Sequence, residues 1–328
     1  MKCINKWICL SLLIAVSCVS GCSKTSAVIE QPYDVYATAA DFGLSSNGSA
    51  EAKSYFASDL CVSEDVAIGT DSTDSKVAEG AGTFNLETNT VVYAKNLYER
   101  LYPASTTKIL TAYIALKYCD DLDAMVTVSE NAVNQASDSS VCNLKAGDVI
   151  RLRDLLYGLM LRSGNDAAVA IAEYISGDVD SFAALMNQEA AAMGATRSHF
   201  VNPNGLPDEN HYTCVYDMYL IFSNAVKNDT FVSIIGTTSY DVTYTDASGE
   251  AVTHTWENTN QYLTGNATTP DGFQIVGGKT GTTGEAGYCL VLYSYNPSGQ
   301  PIISIVFKAD GKSNLYLLMN EMLQGFAI

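Results

Sequence analysis

The hydrophobic period of this chain changes twice, which limits the architectures open to it. "GTFNLETNTVVYAKN" alternates like two short strands around the turn-rich Glu87-Thr88-Asn89-Thr90, a hairpin pattern. The spacing then becomes helical. Helices are predicted over 109–118, over two segments interrupted at Ser163-Gly164-Asn165, over 181–193 and over 215–226. Period two returns in "GFQIVGGKTGTT", "AGYCLVLYSYN" and "PIISIVFKAD", and 315–326 reads as a closing helix. Strands at both ends with helices between them predict a mixed α/β fold, one sheet beside a helical region. With 328 residues, 47% of them hydrophobic, the chain can build a substantial core.

The N-terminus has a different texture. Lys2 and Lys6 flank the start of an apolar run, Trp7 to Val19, that is short for a permanent membrane helix. Val19-Ser20-Gly21-Cys22 resembles the lipobox of bacterial lipoproteins, in which the cysteine is lipidated and becomes the first mature residue. Residues 1–21 are therefore expected to be a signal peptide. Residues 22–57, rich in Ser, Ala, Asn and Gly, are expected to be a lipid anchor and flexible tether, and 58–328 the folded domain. An extra small helix over 50–56 is compatible with a tether. The protein is expected outside the cell, anchored to the outer face of the bacterial cell membrane.

Charge excludes one class of partner. Eighteen Lys and Arg against 36 acids give a net charge of −18, the opposite of what a nucleic-acid phosphate backbone requires. Of nine cysteines, Cys61, Cys119, Cys142, Cys214 and Cys289 lie beyond the tether, with no C-x-x-C pair and no metal-like spacing. They read best as small buried residues; a Cys119–Cys142 disulfide stays open. No metal or organic cofactor is implied.

Ser105 follows Pro103 at a helix entrance, and Lys108 is three residues on, so both side chains share one helix face. A serine hydroxyl needs a neighbouring base, and a lysine serves only when its amine is neutral part of the time. Burial in an apolar helix and a second cation nearby both favour the neutral form. Alone, S-x-x-K is a weak signal, with on the order of one chance match in a chain this long. Two further motifs strengthen it. Ser163-Gly164-Asn165 breaks two apolar helices, and Lys279-Thr280-Gly281 follows a strand and leads into Thr282. Each motif occurs once, in that order.

The three motifs resemble those of penicillin-binding proteins and class A β-lactamases. "YPASTTKILTA", "LLYGLMLRSGNDAA", "FVNPNGLPDENHYT" and "GGKTGTTGEAGYCL" are most similar to the low-molecular-mass serine D-alanyl-D-alanine carboxypeptidases, over nearly all of 59–326. The resemblance implies an antiparallel sheet flanked by helices plus an all-helical region. It implies a penicillin-sensitive enzyme that removes the terminal D-alanine from peptidoglycan stem peptides, with β-lactams as covalent inhibitors. Ser105 would be the nucleophile, Lys108 its base and Ser163 the proton relay. Asn165, Lys279, Thr280, Gly281 and Thr282 would bind substrate, and the backbone amides of Ser105 and Thr282 would form the oxyanion hole. Relatives often carry an arginine near Lys312; this chain has none after Arg197, and Lys312 could contribute instead.

Other readings make different demands. A class A β-lactamase activates its deacylating water with a glutamate, and its E-x-x-L-N loop is not visible here. A tethered β-lactam or wall-binding receptor would not need an intact set of polar groups. A Ser-His-Asp hydrolase is disfavoured because no G-x-S-x-G elbow occurs. His211 and Asp217 read as scaffolding of the site wall, and Cys214 as packing.

Overall fold

The computed structural model describes residues 58–328; the expected signal, lipobox and tether lie outside the described residues. Among the described residues, nine strands form two antiparallel sheets. They are β1 (Ala78–Asn85), β2 (Thr90–Lys95), β3 (Met125–Thr127), β4 (Val149–Arg151) and β5 (Ser239–Thr245). The remainder are β6 (Ala251–Glu257), β7 (Gln274–Thr283), β8 (Gly287–Tyr295) and β9 (Pro301–Ala309). The larger sheet runs β2-β1-β9-β8-β7, so the hairpin at one end of the domain is completed by the three strands at the other. The closure is the β1–β9 ladder, with Gly82 opposite Ile305 and Phe84 opposite Ile303.

Both faces of this sheet are buried, which is why β8 and β9 read as nearly continuous apolar runs. Leu290, Leu292, Ile302 and Val306 point to one face. There α8 (Lys312–Phe326) lays down Leu315, Leu318, Met319, Met322 and Leu323, a stripe at three- and four-residue spacing. The alternate residues Val291, Tyr293, Ile303, Ile305 and Phe307 face the helical region. That region contains α1 (Lys108–Tyr118), α2 (Glu130–Val133), α3 (Leu152–Tyr157), α4 (Asn165–Ser176), α5 (Val179–Ala192), α6 (Val215–Ala225) and α7 (Asp229–Ile235). Burying one of these large apolar side chains stabilises the fold by about 1.5–3 kcal/mol. α1 is apolar on nearly every side because it is enclosed by the other helices.

The single-sheet expectation is incomplete. A second sheet, β3-β4-β5-β6, stands beside the helices. Trp256 is buried on β6, and the segment after Glu257 is a loop that brings Thr259 to the cleft. All five described cysteines are free, four of them buried. Cys214 is the N-cap of α6, its sulfur accepting from the Asp217 amide at 3.4 Å.

Candidate active site

Ser105 lies in a 3-10 turn, Ala104–Thr107, that runs directly into α1, so it precedes the α-helix proper while Lys108 begins it. Lys108 is fully buried. Its Nζ has three polar neighbours: Ser105 Oγ at 2.9 Å, Asn165 Oδ1 at 2.8 Å and the Asn204 carbonyl at 2.7 Å. The last two can only accept. A neutral amine has two hydrogens and one lone pair, so donating to both leaves the lone pair for the Ser105 hydroxyl proton. Burial first, and the cation of Lys279 second, hold Lys108 well below the ordinary lysine range.

Lys279 is 1% exposed on β7, donates to the Thr280 carbonyl at 2.9 Å, and is drawn by burial to about 7. β7 passes so close to the serine turn that a side chain at position 281 is excluded. A Cβ on Gly281 would stand 3.0 Å from the Ser105 amide nitrogen and 3.1 Å from the Pro103 carbonyl. Glycine there lets the strand backbone and the serine amide face one small volume. Across the turn, Gly205 has φ +89°, and a Cβ would fall 1.8 Å from the Ala104 carbonyl oxygen. Only a glycine meets both conditions.

The middle motif is held from behind. α3 continues as a π-helical turn, Gly158–Arg162, and Ser163 follows in left-handed conformation at φ 62°, with Asn165 the first residue of α4 rather than part of the loop. A strained backbone of this kind costs on the order of 1–3 kcal/mol and needs external support. The 140–144 segment supplies it. The Asn165 amide donates to the Ser140 carbonyl at 2.8 Å, and the buried Asp166 carboxylate accepts from the amides of Cys142, Leu144 and Ala167. Asp166→Ala should lower unfolding free energy by about 3 kcal/mol, since it orphans buried amides. Urea denaturation measures this, and a loss under about 1 kcal/mol would refute it.

Two arms of one cleft meet at Ser105. The first, of about 220 Å³, is lined by Ser163, Thr280, Gly281, Thr282 and Lys312. Ser163 faces it without a hydrogen bond to Lys108 or Ser105. Thr280 Oγ1 lies 2.6 Å from Thr259 Oγ1, and Thr282 Oγ1 donates to the Gly281 carbonyl at 2.8 Å. Lys312, exposed at the rim, opens α8 rather than preceding it. The structure thus bonds Ser105, Lys108 and Asn165 directly, and places Ser163, Thr280, Gly281, Thr282 and Lys312 along the same arm, with Lys279 buried behind them. His211 supports the serine helix: Val201 N–H donates to Nδ1, so the proton sits on Nε2, which donates to Thr107 Oγ1 at 2.9 Å. Burial draws this imidazole to about 4, keeping it neutral. Asp217 accepts from the Arg197 amide and the Ser198 hydroxyl.

Sequence reasoning missed Ser140 and the Asn204 carbonyl, and did not single out Thr259. Ser140 and Thr259 sit on loops with no distinguishing pattern, and the Asn204 carbonyl is a backbone atom. Among the described residues no group of three His, Cys, Asp or Glu could hold a metal ion, and no helix is long and apolar enough to cross a membrane.

Comparison with known proteins agrees with this geometry. Residues 69–311 match the family model described as D-alanyl-D-alanine carboxypeptidase. The chain is 34% identical over 251 residues to the Bacillus subtilis D-alanyl-D-alanine carboxypeptidase DacF, covering 75% of this chain and 61% of that protein. It is 34% identical to a Streptomyces D-alanyl-D-alanine carboxypeptidase, covering 76% of this chain and 88% of the relative. Among solved structures, the crystal structure of a Streptomyces DD-transpeptidase superposes with a TM-score of 0.69 at 33% identity, over 77% of this chain and 98% of that one. The Francisella tularensis D-alanyl-D-alanine carboxypeptidase DacD superposes at 0.66 and 27% identity, over 81% of this chain and 72% of that one. A match this long, carried through the serine, the two lysines and the strand beside them, makes the chain a member of the D-alanyl-D-alanine carboxypeptidase family.

Proposed function

We propose that this protein is a penicillin-sensitive serine D,D-carboxypeptidase that removes the terminal D-alanine from peptidoglycan stem peptides. The observation that carries the reading is the Lys108 amine, fully buried, with two fixed acceptors and its remaining valence toward Ser105 Oγ at 2.9 Å. Ser105 Oγ bonds to the carbonyl carbon between the two D-alanines while Lys108 Nζ takes the hydroxyl proton. The oxyanion that forms meets the Ser105 and Thr282 backbone amides, supported by the close approach of Gly281 to the Ser105 nitrogen. As the C–N bond breaks, Ser163 passes its hydroxyl proton to the departing amine and recovers one from the Lys108 ammonium, giving free D-alanine, a neutral Lys108 and an acyl-enzyme. Water then hydrolyses the ester and restores the serine.

Asn165 holds the substrate's peptide amide. The terminal carboxylate lies against Thr280, Thr282 and Gly281 in the potential of Lys279, with Lys312 at the rim. Keeping both lysine ammonium groups in this cleft is what an acidic chain of net charge −18 needs in order to accept an anion. β-Lactams acylate the same serine and leave slowly.

The test uses a diacyl D-alanyl-D-alanine peptide and, separately, a fluorescent penicillin. Release of D-alanine together with a long-lived penicillin adduct is the expected result. Rapid penicillin turnover without peptide cleavage would identify a β-lactamase, and a stable adduct with neither hydrolysis a receptor.

The cellular setting belongs to the same proposal. Residues 1–21 direct export, Cys22 carries lipid, 22–57 span from the outer face of the membrane toward the wall, and 58–328 act on it. Val19-Ser20-Gly21-Cys22 supports this. Cys22→Ser should move the protein from the membrane pellet to the soluble fraction; retention in the pellet would refute the anchor.

A further inference from the structure

The loop between β6 and β7 supplies part of the wall of the first arm, and two buried neighbours decide which of its residues faces the cleft. Asn258 and Asn260 are both buried. Asn258 Nδ2 donates to the Thr237 carbonyl at 2.9 Å, and its Oδ1 accepts from the Asn260 amide at 2.9 Å. With both neighbours turned inward, Thr259 between them is exposed and lines the arm beside Thr280. The two threonine hydroxyls are 2.6 Å apart, so one proton lies between them. Which of them donates it decides what the arm offers. If Thr280 donates to Thr259, it has no hydrogen left for a carboxylate. If Thr259 donates, Thr280 keeps its own hydrogen for the cleft.

The loop is held in this position from α8. Beyond Asn260 it turns onto that helix, where the Gln261 amide donates to Tyr316 Oη at 2.9 Å. The Tyr262 ring meets Tyr316 edge-on with centroids 5.0 Å apart, and its hydroxyl donates to Asn320 Oδ1 at 2.7 Å. Tyr316 is buried, which pushes its phenol up to about 12 and keeps it a neutral hydroxyl. It follows Lys312 by one helical turn, and both line the arm. One face of α8 therefore carries the rim cation and the support of the loop.

We infer that Thr259 and Tyr316 are positioning residues for the Thr280 hydroxyl: Thr259 donates to it, and Tyr316 holds the loop that keeps Thr259 within reach. This rests on the carboxypeptidase reading above, in which Thr280 meets the terminal carboxylate. A carboxylate only accepts, so its arrival fixes the direction of the chain, from Thr259 to Thr280 and from Thr280 to the ligand. The two bonds polarise in the same sense, and each strengthens the other.

D-alanine release from a diacyl D-alanyl-D-alanine peptide is measured for the full chain and for its Thr259→Val, Tyr316→Phe and Thr280→Val variants. Valine keeps the shape of threonine without the hydroxyl. Phenylalanine keeps the ring against Tyr262 and removes the acceptor of the Gln261 amide. Weakening one hydrogen bond to the bound carboxylate should raise KM by roughly five-fold in Thr259→Val and by at least about two-fold in Tyr316→Phe. kcat should not change, because the contact is already made in the bound substrate. Thr259→Ser, which restores the hydroxyl, should restore KM. Neither substitution should lower kcat/KM further when combined with Thr280→Val, since both act through its hydroxyl. A parental KM in Thr259→Val or Tyr316→Phe overturns the inference and leaves the carboxypeptidase reading standing. So does a loss confined to kcat, or one that adds to that of Thr280→Val, since the two residues would then act by another route. Absence of D-alanine release from the parent chain, with penicillin still forming its adduct, sinks the carboxypeptidase reading itself and the inference with it.

Discussion

Ser105→Ala yields no covalent penicillin adduct and releases D-alanine at least about 10⁴-fold more slowly than the parent protein. The first effect is total because the bond has no oxygen to form through. The second leaves a residue of activity, since the backbone amides that receive the oxyanion and the groups that hold the carboxylate are untouched. Folding should barely change. Ser105 is only partly buried, and removing its hydroxyl costs Lys108 one of three hydrogen bonds, about 1 kcal/mol. Mass spectrometry of the penicillin-treated variant, with its thermal midpoint measured alongside, separates loss of chemistry from loss of structure. Ser140 and Ser163 line the same arm as Ser105 and are the natural competitors. An adduct persisting in the variant and mapping to either would displace Ser105 from its role.

The strands of the large sheet and the helices between them were legible because each buries a regular face. β8 and β9 are covered on both sides and α8 on one, so their periods survive in the sequence. The second sheet was less legible for two different reasons. β3 and β4 have three residues each, too few to display an alternation. β5 does alternate, with Val242 and Tyr244 buried between exposed neighbours, and that signal was available in "SYDVTYT". Inside the site, Ser105 and Lys108 could be paired from their spacing because a helix turn fixes it. The contact of Lys108 with the Asn204 carbonyl, 96 residues away, has no such local rule and involves no side chain whose type could mark it. The burial of Lys279 was equally hidden. A strand residue is enclosed by whatever tertiary structure packs over it, and no local pattern around Lys279 shows that.

Lys108→Met should slow acylation of Ser105 by about 10³-fold, the scale of a lost general base, while substrate still binds. Methionine nearly matches the lysine in length and apolar volume, so the cavity stays filled. It also leaves the Asn204 carbonyl and Asn165 Oδ1 without their donor, so some stability is lost as well, about 1–3 kcal/mol for each buried acceptor. A rate loss alone therefore cannot distinguish a base from a brace, and the pH profile does. The two buried lysines have different tasks: Lys108 must be neutral to take a proton, and Lys279 must be charged to attract a carboxylate. Desolvation depresses both, and Lys108 is pushed down further by the charge of Lys279. In the free enzyme kcat/KM should therefore rise with pH as Lys108 gives up its proton, then fall as Lys279 loses its own near about 7. A bound carboxylate stabilises the Lys279 ammonium, so the falling limb of kcat should sit at higher pH than that of kcat/KM. In Lys108→Met the rising limb should vanish and the falling limb remain. Lys108→Arg, charged at every accessible pH, should be as slow as the methionine variant, although it keeps a cation at the position. Were the rising limb to persist in Lys108→Met, the proton would be going elsewhere, and the buried amine would be holding the cleft together rather than working in it.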